Sequence, residues 1–151
     1  MLFVDGGSDL INIGSATNYA LGPAAASTLQ ISSAAATQLS VFSSRANAGG
    51  AHLNFTKSRH ASPGSFAIVE DNDAIGIISF NADDGTNFAT EVIKITGEVD
   101  DSSPASSSIG GALIFETAAG ATSDDLTERM RIDSAGDVTF TGDLIMADGK
   151  G

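Results

Sequence analysis

Apolar residues recur at every second position in short runs that Gly, Asn, Asp, Ser and Pro interrupt. A period of two is typical of β-strands that are buried on one side, whereas an amphipathic helix repeats every 3.6 residues. The pattern predicts strands around Leu29 and Ile31, Leu39 and Val41, Leu53 and Phe55, Ile75 to Phe80, Ile93 to Val99, Leu113 to Phe115, Met130 and Ile132, and Val138 and Phe140. We therefore expect an all-β fold of about ten short antiparallel strands in a sandwich- or prism-like module.

Turn-forming residues separate these runs. The predicted turns contain Asp84-Gly85, Asn47–Gly50, Ser62–Gly64 and Ala135–Asp137, all residue types that tolerate positive φ or bend the chain. The stretch Asp100–Gly111 has no apolar alternation, so we expect an exposed loop there. The alanine triplets at Ala24–Ala26 and Ala34–Ala36 favour helix by themselves, but the flanking Ser, Thr and Ile residues argue against more than a turn or two.

Two short segments, 128 positions apart, are similar to each other. The first contains Leu2, Val4, Asp5, Asp9, Leu10 and Gly14, and the second contains Met130, Ile132, Asp133, Asp137, Val138 and Gly142. Either the chain contains an internal repeat, or two β-hairpins with acidic turns look alike by chance. The repeat interpretation divides the chain into an end hairpin with a linker (1–26), a β-rich module (27–142) and the truncated start of a following segment (143–151).

Small residues dominate the composition. The chain has 23 Ala, 17 Gly and 31 Ser plus Thr among 151 residues, but no Trp and only one Tyr. Such side chains bury little area per position, so we expect the chain to pack against copies of itself. The seven Lys plus Arg against 19 Asp plus Glu leave a net charge of −12, which excludes an extended phosphate-binding surface. There is no cysteine, and no apolar run approaches the ~20 residues that cross a bilayer, so we expect neither disulfides nor membrane insertion.

Four separated motifs resemble, in their order, repeat modules in tail-fibre proteins of bacteriophages and prophages. The segments that carry the resemblance are Lys57–Gly64, Val69–Gly76, Asp84–Thr86 and Glu128–Asp133, with Phe80 between the second and third. The resemblance covers about residues 27–142 and departs from the usual pattern at His60, Asn72, Ala74 and Thr139–Thr141. It implies a virion fibre built from elongated, intertwined and usually trimeric β-structure.

The Glu128–Asp133 motif also has a physical interpretation. Alternation places Met130 and Ile132 on one face of a strand and leaves the charged residues on or near the other. Arg129 and Arg131 would then either pair with acids of an adjacent strand or chain, or form an ordinary solvated strand face.

Catalytic and metal-binding chemistry finds little support. No Gly-x-Ser-x-Gly motif occurs, and only His52 and His60 could act as a general base. Acidic turns at Asp71, Asp73, Asp83 and Asp84 offer oxygen ligands of the kind calcium prefers, but they lack the remaining ligands of an EF-hand-like loop. We therefore predict no catalytic, cofactor or metal site and no enzymatic activity.

We expect a structural protein of the virion that acts as a shaft or spacer module of a tail or head fibre. Its expected location is the virion, outside the host cell. Its expected partners are itself, as a homotrimer, and other virion fibre or baseplate proteins. The alternative is a receptor-binding adhesin that holds a host surface glycan in the loops Asp100–Gly111 and His60–Glu70; a polysaccharide-degrading fibre is a third possibility without assignable residues.

Overall fold

The computed structural model describes residues 2–5, 10–13, 29–120 and 125–145, and within them the chain is all-β with no helix, as the period of two predicts. The eight strands are β1 (Leu2–Asp5), β2 (Leu10–Ile13), β3 (Leu29–Ile31), β4 (Ala74–Ala82), β5 (Thr90–Val99), β6 (Gly111–Ala118), β7 (Leu126–Ile132) and β8 (Val138–Phe140). They belong to two compact units, one comprising residues 1–54 with 83–89 and the other residues 55–82 with 90–151.

The first unit contains a three-stranded sheet with the order β1-β2-β3. β1 and β2 form an antiparallel pair, but β3 runs parallel to β2, with Ile11 opposite Leu29. The prediction of purely antiparallel strands is therefore wrong for this pair. A parallel pair needs a long connection, and the 15 residues between Ile13 and Leu29 are enough for one.

The second unit contains a five-stranded antiparallel sheet in which the strands follow each other in chain order, from β4 to β8. The connections between neighbouring strands are 5 to 11 residues long, and each strand pairs with the next one along the chain. A β-bulge interrupts the pairing of β6 and β7, where Met130 lies opposite Phe115 but Glu128 lies opposite Glu116. The extra residue is Arg129, which the bulge takes out of the regular alternation.

The register gives the five-stranded sheet two chemically different faces, because residues opposite each other on neighbouring strands point to the same side. One row across all five strands consists of Ile78, Ile95, Phe115, Met130 and Phe140. We call the side that carries this row the apolar face. The neighbouring row on the other side consists of Ile77, Thr96, Ile114, Arg131 and Thr139, and we call that side the charged face.

Two predicted strands do not form. The segments around Leu39 and Val41 and around Leu53 and Phe55 have no regular secondary structure; they belong to a stretch, residues 32–73, that contains no strand. Apolar and polar residues do alternate in both segments, but a strand also needs a neighbouring strand with which to form backbone hydrogen bonds. The described part of the chain places no such strand beside them. The triplet Ala34–Ala36 is not helical, whereas Ala24–Ala26 lies outside the described residues.

The predicted turns carry the expected backbone conformations. Gly64, Gly85 and Gly136 all have positive φ, between 81° and 89°, a region that glycine enters without steric cost. At Asn47–Gly50 the Asn47 side chain accepts a hydrogen bond from the Gly49 amide at 3.0 Å. The connection between β5 and β6 is a loop whose residues are mostly exposed, as the sequence between Asp100 and Gly111 predicts.

The two similar segments at the ends of the chain both form antiparallel hairpins, but with different registers. Leu2 lies opposite Ile13 in the first hairpin, whereas Met130 lies opposite Phe140 in the second. An offset of 128 would pair Met130 with Thr141, so the two registers differ by one residue. Asp9 and Gly14 lie outside the described residues, and the repeat and the module boundaries at 26 and 142 stay predictions.

Candidate functional site

The charged face carries ion pairs that cross the sheet from strand to strand. Lys94 on β5 and Glu116 on β6 are opposite each other, and the distance from Lys94 Nζ to Glu116 Oε2 is 2.8 Å. Arg131 on β7 reaches past β6, and its Nη2 lies 3.2 Å from Glu98 Oε1 on β5. Arg131 Nε also lies 3.3 Å from Glu128 Oε2 on its own strand, so one guanidinium serves two carboxylates.

These long side chains surround two well-buried positions of the sheet. Thr96 and Ile114, which are opposite each other, are each only 5% exposed although they belong to the charged face. They line an open depression of about 280 Å³ together with Lys94, Glu98 and Arg131. The aliphatic parts of Lys and Arg side chains can cover apolar surface while their charged ends stay near water. The charged face therefore supplies its own cover, at the cost of leaving the Thr96 hydroxyl without a hydrogen-bond partner.

The apolar face, in contrast, is largely open. The exposed fractions of its side chains lie between 39% and 51% for Ile78, Phe80, Ile93, Leu113, Val138 and Phe140. A soluble monomer normally buries the apolar side of its sheet and exposes the polar side. Here six apolar side chains of one face stay open, which indicates a surface that meets another apolar surface.

One aromatic side chain of the same unit does lie on the apolar face. Gly76 and Gly97 are opposite each other and leave a gap in its side-chain layer. A Cβ atom at Gly76 would overlap Phe55, so the absence of a side chain there is what admits the ring. Phe55 borders an open apolar depression of about 240 Å³, whose other walls include Ile78 and Leu113. The apolar face thus accepts an aromatic side chain from outside the sheet.

Two of the four sequence motifs contact each other through a cluster of charges that we call the Arg59 clasp. Arg59 Nε donates a hydrogen bond to Asp73 Oδ2 at 2.8 Å, and Arg59 Nη2 donates to Asp73 Oδ1 at 3.1 Å. Arg59 Nη1 also lies 2.7 Å from Glu70 Oε2, and Lys57 Nζ lies 3.9 Å from Asp73. The clasp fastens the irregular segment before β4 to the turn from which β4 begins.

The clasp lowers the pKa of Asp73 from its ordinary value of 3.8 to about 2. The main cause is the hydrogen bonding by Arg59, and the Glu70 amide, which donates to Asp73 Oδ2 at 2.9 Å, adds to it. Both interactions favour the ionised carboxylate over the protonated acid.

Acidification should therefore weaken the clasp. Between pH 4 and pH 2 the unfolded chain takes up a proton at Asp73 while the folded chain does not. The free energy of unfolding therefore decreases as the pH is lowered through this window. In Arg59→Gln we expect the Asp73 pKa to rise towards 3.8 and this part of the acid sensitivity to disappear. A carboxyl NMR titration together with thermal melts from pH 2 to pH 7 measures both effects.

Lys57→Gln is the matched control, because it also removes one positive charge but only from a 3.9 Å contact. Its Asp73 pKa should stay close to that of the unaltered chain. Equal pKa shifts in the two variants would contradict the assignment of the effect to the Arg59 hydrogen bonds.

Acidic residues at one end of the five-stranded sheet bind backbone amides rather than each other. Asp71 Oδ1 accepts from the Asp101 amide at 2.9 Å, and Asp100 Oδ2 accepts from the Ser134 amide at 2.8 Å. The hydrogen bonds from Ser134 lower the pKa of Asp100. Asp133 Oδ1 accepts from two amides of its own turn. These carboxylates join the loop after β5 to the turns before β4 and after β7.

The candidate calcium ligands are engaged in the same way. Asp83 Oδ1 accepts from the Gly85 amide at 2.8 Å, and Asp84 Oδ1 accepts from the amides of Thr86 and Asn87. Asp71 and Asp73 are held by the contacts given above. Over the described residues, no three His, Asp or Glu side chains are grouped so that they could hold a metal ion.

The two histidines occupy separate, exposed positions. His60 Nδ1 accepts a hydrogen bond from the Ser62 amide at 3.0 Å and so stabilises the turn at Ser62–Gly64. His52 is exposed in the irregular stretch and does not begin a strand. One of the two loops considered for glycan binding, residues 60–70, contains Phe66, which is 95% exposed. The one tyrosine of the chain, Tyr19, lies outside the described residues.

The separation of faces expected for the Glu128–Asp133 motif is confirmed, but Arg131 finds its acids on its own strand and two strands away rather than on an adjacent strand. Met130 and Ile132 lie on the apolar face, and Arg131 pairs with acids on its own strand and on β5. Arg129 differs because the bulge turns it towards Thr117, to whose Oγ1 its Nε donates at 3.0 Å. Alternation by itself cannot reveal a bulge, since the extra residue leaves no sign in the hydrophobic pattern.

Sequence reasoning missed Lys94, Glu98 and Phe55 as surface-determining residues. The two charges alternate with Ile93, Ile95 and Gly97 on β5, so their common face was visible in the pattern. Their ion-pair partners were not visible, because Arg131 is 33 residues from Glu98 in the chain.

Among the residues with described structure, none forms a helix that is long and apolar enough to cross a membrane. The chain matches no protein-family model and has no significant match among curated proteins.

Proposed function

We propose that the chain is a structural module of a virion fibre, a homotrimeric shaft or spacer that links a phage particle to its host-contact domains. The proposal assigns it a mechanical rather than a catalytic role, with other fibre or baseplate proteins as further partners. It joins the motif resemblance to an observation about surfaces, which is that the described residues cannot cover their own apolar side chains.

The observation that supports self-association is the surplus of exposed apolar residues outside the sheets. In the irregular stretch, Leu39, Val41, Phe42, Leu53 and Phe66 are all more than half exposed. The first two and Leu53 belong to runs with the period of a strand, but they have no strand beside them. Strand-like segments without a partner can complete their hydrogen bonding and their burial against neighbouring chains.

The oligomeric state tests this proposal directly. Light scattering over a range of protein concentrations should give a mass three times the 15.2 kDa of one chain. The mass should fall towards that of one chain on dilution, because the assembled fraction depends on protein concentration. A stable monomer over the whole range would contradict the self-association on which the fibre proposal depends.

A further inference from the structure

We propose that the apolar face of the five-stranded sheet is the surface through which the chain binds a second copy of itself, apolar face against apolar face. The inference rests on the proposed function, because it assigns a particular surface to the self-association proposed above. In a trimer, the three apolar faces would all turn towards the common axis, so that each meets both neighbouring chains there.

The size of the open surface is the first argument. Six apolar side chains of the face are between 39% and 51% exposed, and they come from four of the five strands. With ~150–250 Å² for each large side chain, they leave roughly 500 Å² open per copy. Two copies would cover roughly 1,000 Å², which reaches the lower range of specific protein interfaces.

The distribution of charge is the second argument, and it favours an identical partner. The chain has a net charge of −12, so two copies repel each other over most approaches. The rows through Ile78 and Gly76 contain no ionisable side chain in any of the five strands, and at the row through Phe80 and Ile93 one cation, Arg129, binds Thr117. The charged face already pairs its acids internally through Lys94 and Arg131. Contact through the apolar face is therefore the approach that brings the fewest like charges together.

The third argument is that the apolar face already binds one aromatic side chain, that of Phe55. The gap at Gly76 and Gly97 accepts this aromatic ring from a segment outside the sheet. The rest of the face, from Ile78 to Phe140, offers the same kind of surface without such a cover. Two sheets can close such surfaces by interdigitating their side chains at a separation of about 10 Å.

Paired substitutions on the two edge strands test the inference. Phe80→Glu on β4 and Phe140→Glu on β8 place a negative charge on the apolar face. Ser79→Glu and Thr139→Glu place the same charge one residue away on the opposite face, across from Lys94 and Arg131 respectively. We expect the two apolar-face variants to weaken association at least tenfold in light scattering, and the two controls to associate like the unaltered chain.

Single cysteines give a second measurement that needs no destabilising charge, since the chain has no cysteine of its own. Under mild oxidation Phe80→Cys should form disulfide-linked dimers, whereas Ser79→Cys should not. If either glutamate variant unfolds and so loses its far-ultraviolet circular dichroism signal, the disulfide crosslinking of the cysteine variants tests the inference by itself. Equal crosslinking at both positions would overturn the inference.

The outcomes separate this inference from the proposed function. If the unaltered chain associates and the apolar-face variants associate equally well, the copies meet elsewhere, so the inference fails and the fibre proposal stands. A monomeric unaltered chain overturns both. A monomer that floats with phosphatidylcholine vesicles, and loses this property in Phe80→Glu but not in Ser79→Glu, would assign the face to a lipid surface instead.

Discussion

Replacing Ile114 with alanine should lower the free energy of unfolding by about 2–5 kcal/mol, the usual cost of truncating a buried aliphatic side chain. Ile114 is 5% exposed and lies between Thr96 and Arg131 in the central row of the charged face. Its surroundings are long charged side chains that cannot collapse into the space left behind without separating their ion pairs. Urea denaturation at one fixed protein concentration measures the loss, because assembly couples stability to concentration.

Ile109→Ala is the matched control for this prediction. Ile109 lies in the loop between β5 and β6 and is 49% exposed, so its truncation removes the same atoms from a partly solvated site. We expect a loss of about 1 kcal/mol or less. Similar losses in both variants would show that Ile114 is not part of a well-packed core.

Replacing Arg131 with methionine should cost about 2 kcal/mol at low salt, because two partly buried carboxylates lose the cation they share. Glu98 and Glu128 lie 3.2 and 3.3 Å from the guanidinium, and Asp100 lies 3.9 Å from it. Methionine keeps much of the aliphatic bulk, so the change is mainly electrostatic. Part of the deficit should disappear in 1 M salt, where the Debye length of ~3 Å screens the repulsion among the acids.

Lys94→Met is the control, since within the described part of the chain Lys94 pairs with one carboxylate, that of Glu116. Its removal leaves Glu116 without this cation, but Arg131 still pairs with Glu98 and Glu128, so we expect a smaller cost of about 1 kcal/mol and a weaker salt dependence. If the two variants lose the same stability and respond equally to salt, the three acids around Arg131 do not act as a group.

The sequence predicts the larger sheet well because each of its strands contains an apolar run of strand type between turn-forming residues. Ile93, Ile95 and Val99 alternate with charged or small residues, and the strand that contains them spans Thr90–Val99. The same reasoning fails at Leu39 and Leu53, where the alternation is equally clear. A strand forms only where two segments pair through backbone hydrogen bonds, and the hydrophobic pattern of one segment does not show whether a partner lies beside it.

The candidate surfaces were predictable only in part. The period of two separates Met130 and Ile132 from Arg131, so the existence of one apolar and one charged side follows from the residues alone. Which acid Arg131 binds depends on the strand order, which brings β5 within reach across β6. The bulge at Arg129 and the gap at Gly76 also need the register, because each arises from what lies opposite.

The sequence by itself determined that the described chain is all-β, where most turns fall and which residues of a strand share a face, since these are properties of neighbouring positions. Tertiary structure alone decided that the charged face is the better covered one and the apolar face the open one. The reason is that burial depends on side chains arriving from distant strands. Lys94, Glu98 and Arg131 reach over Thr96 and Ile114, while Phe55 comes to lie on the other side.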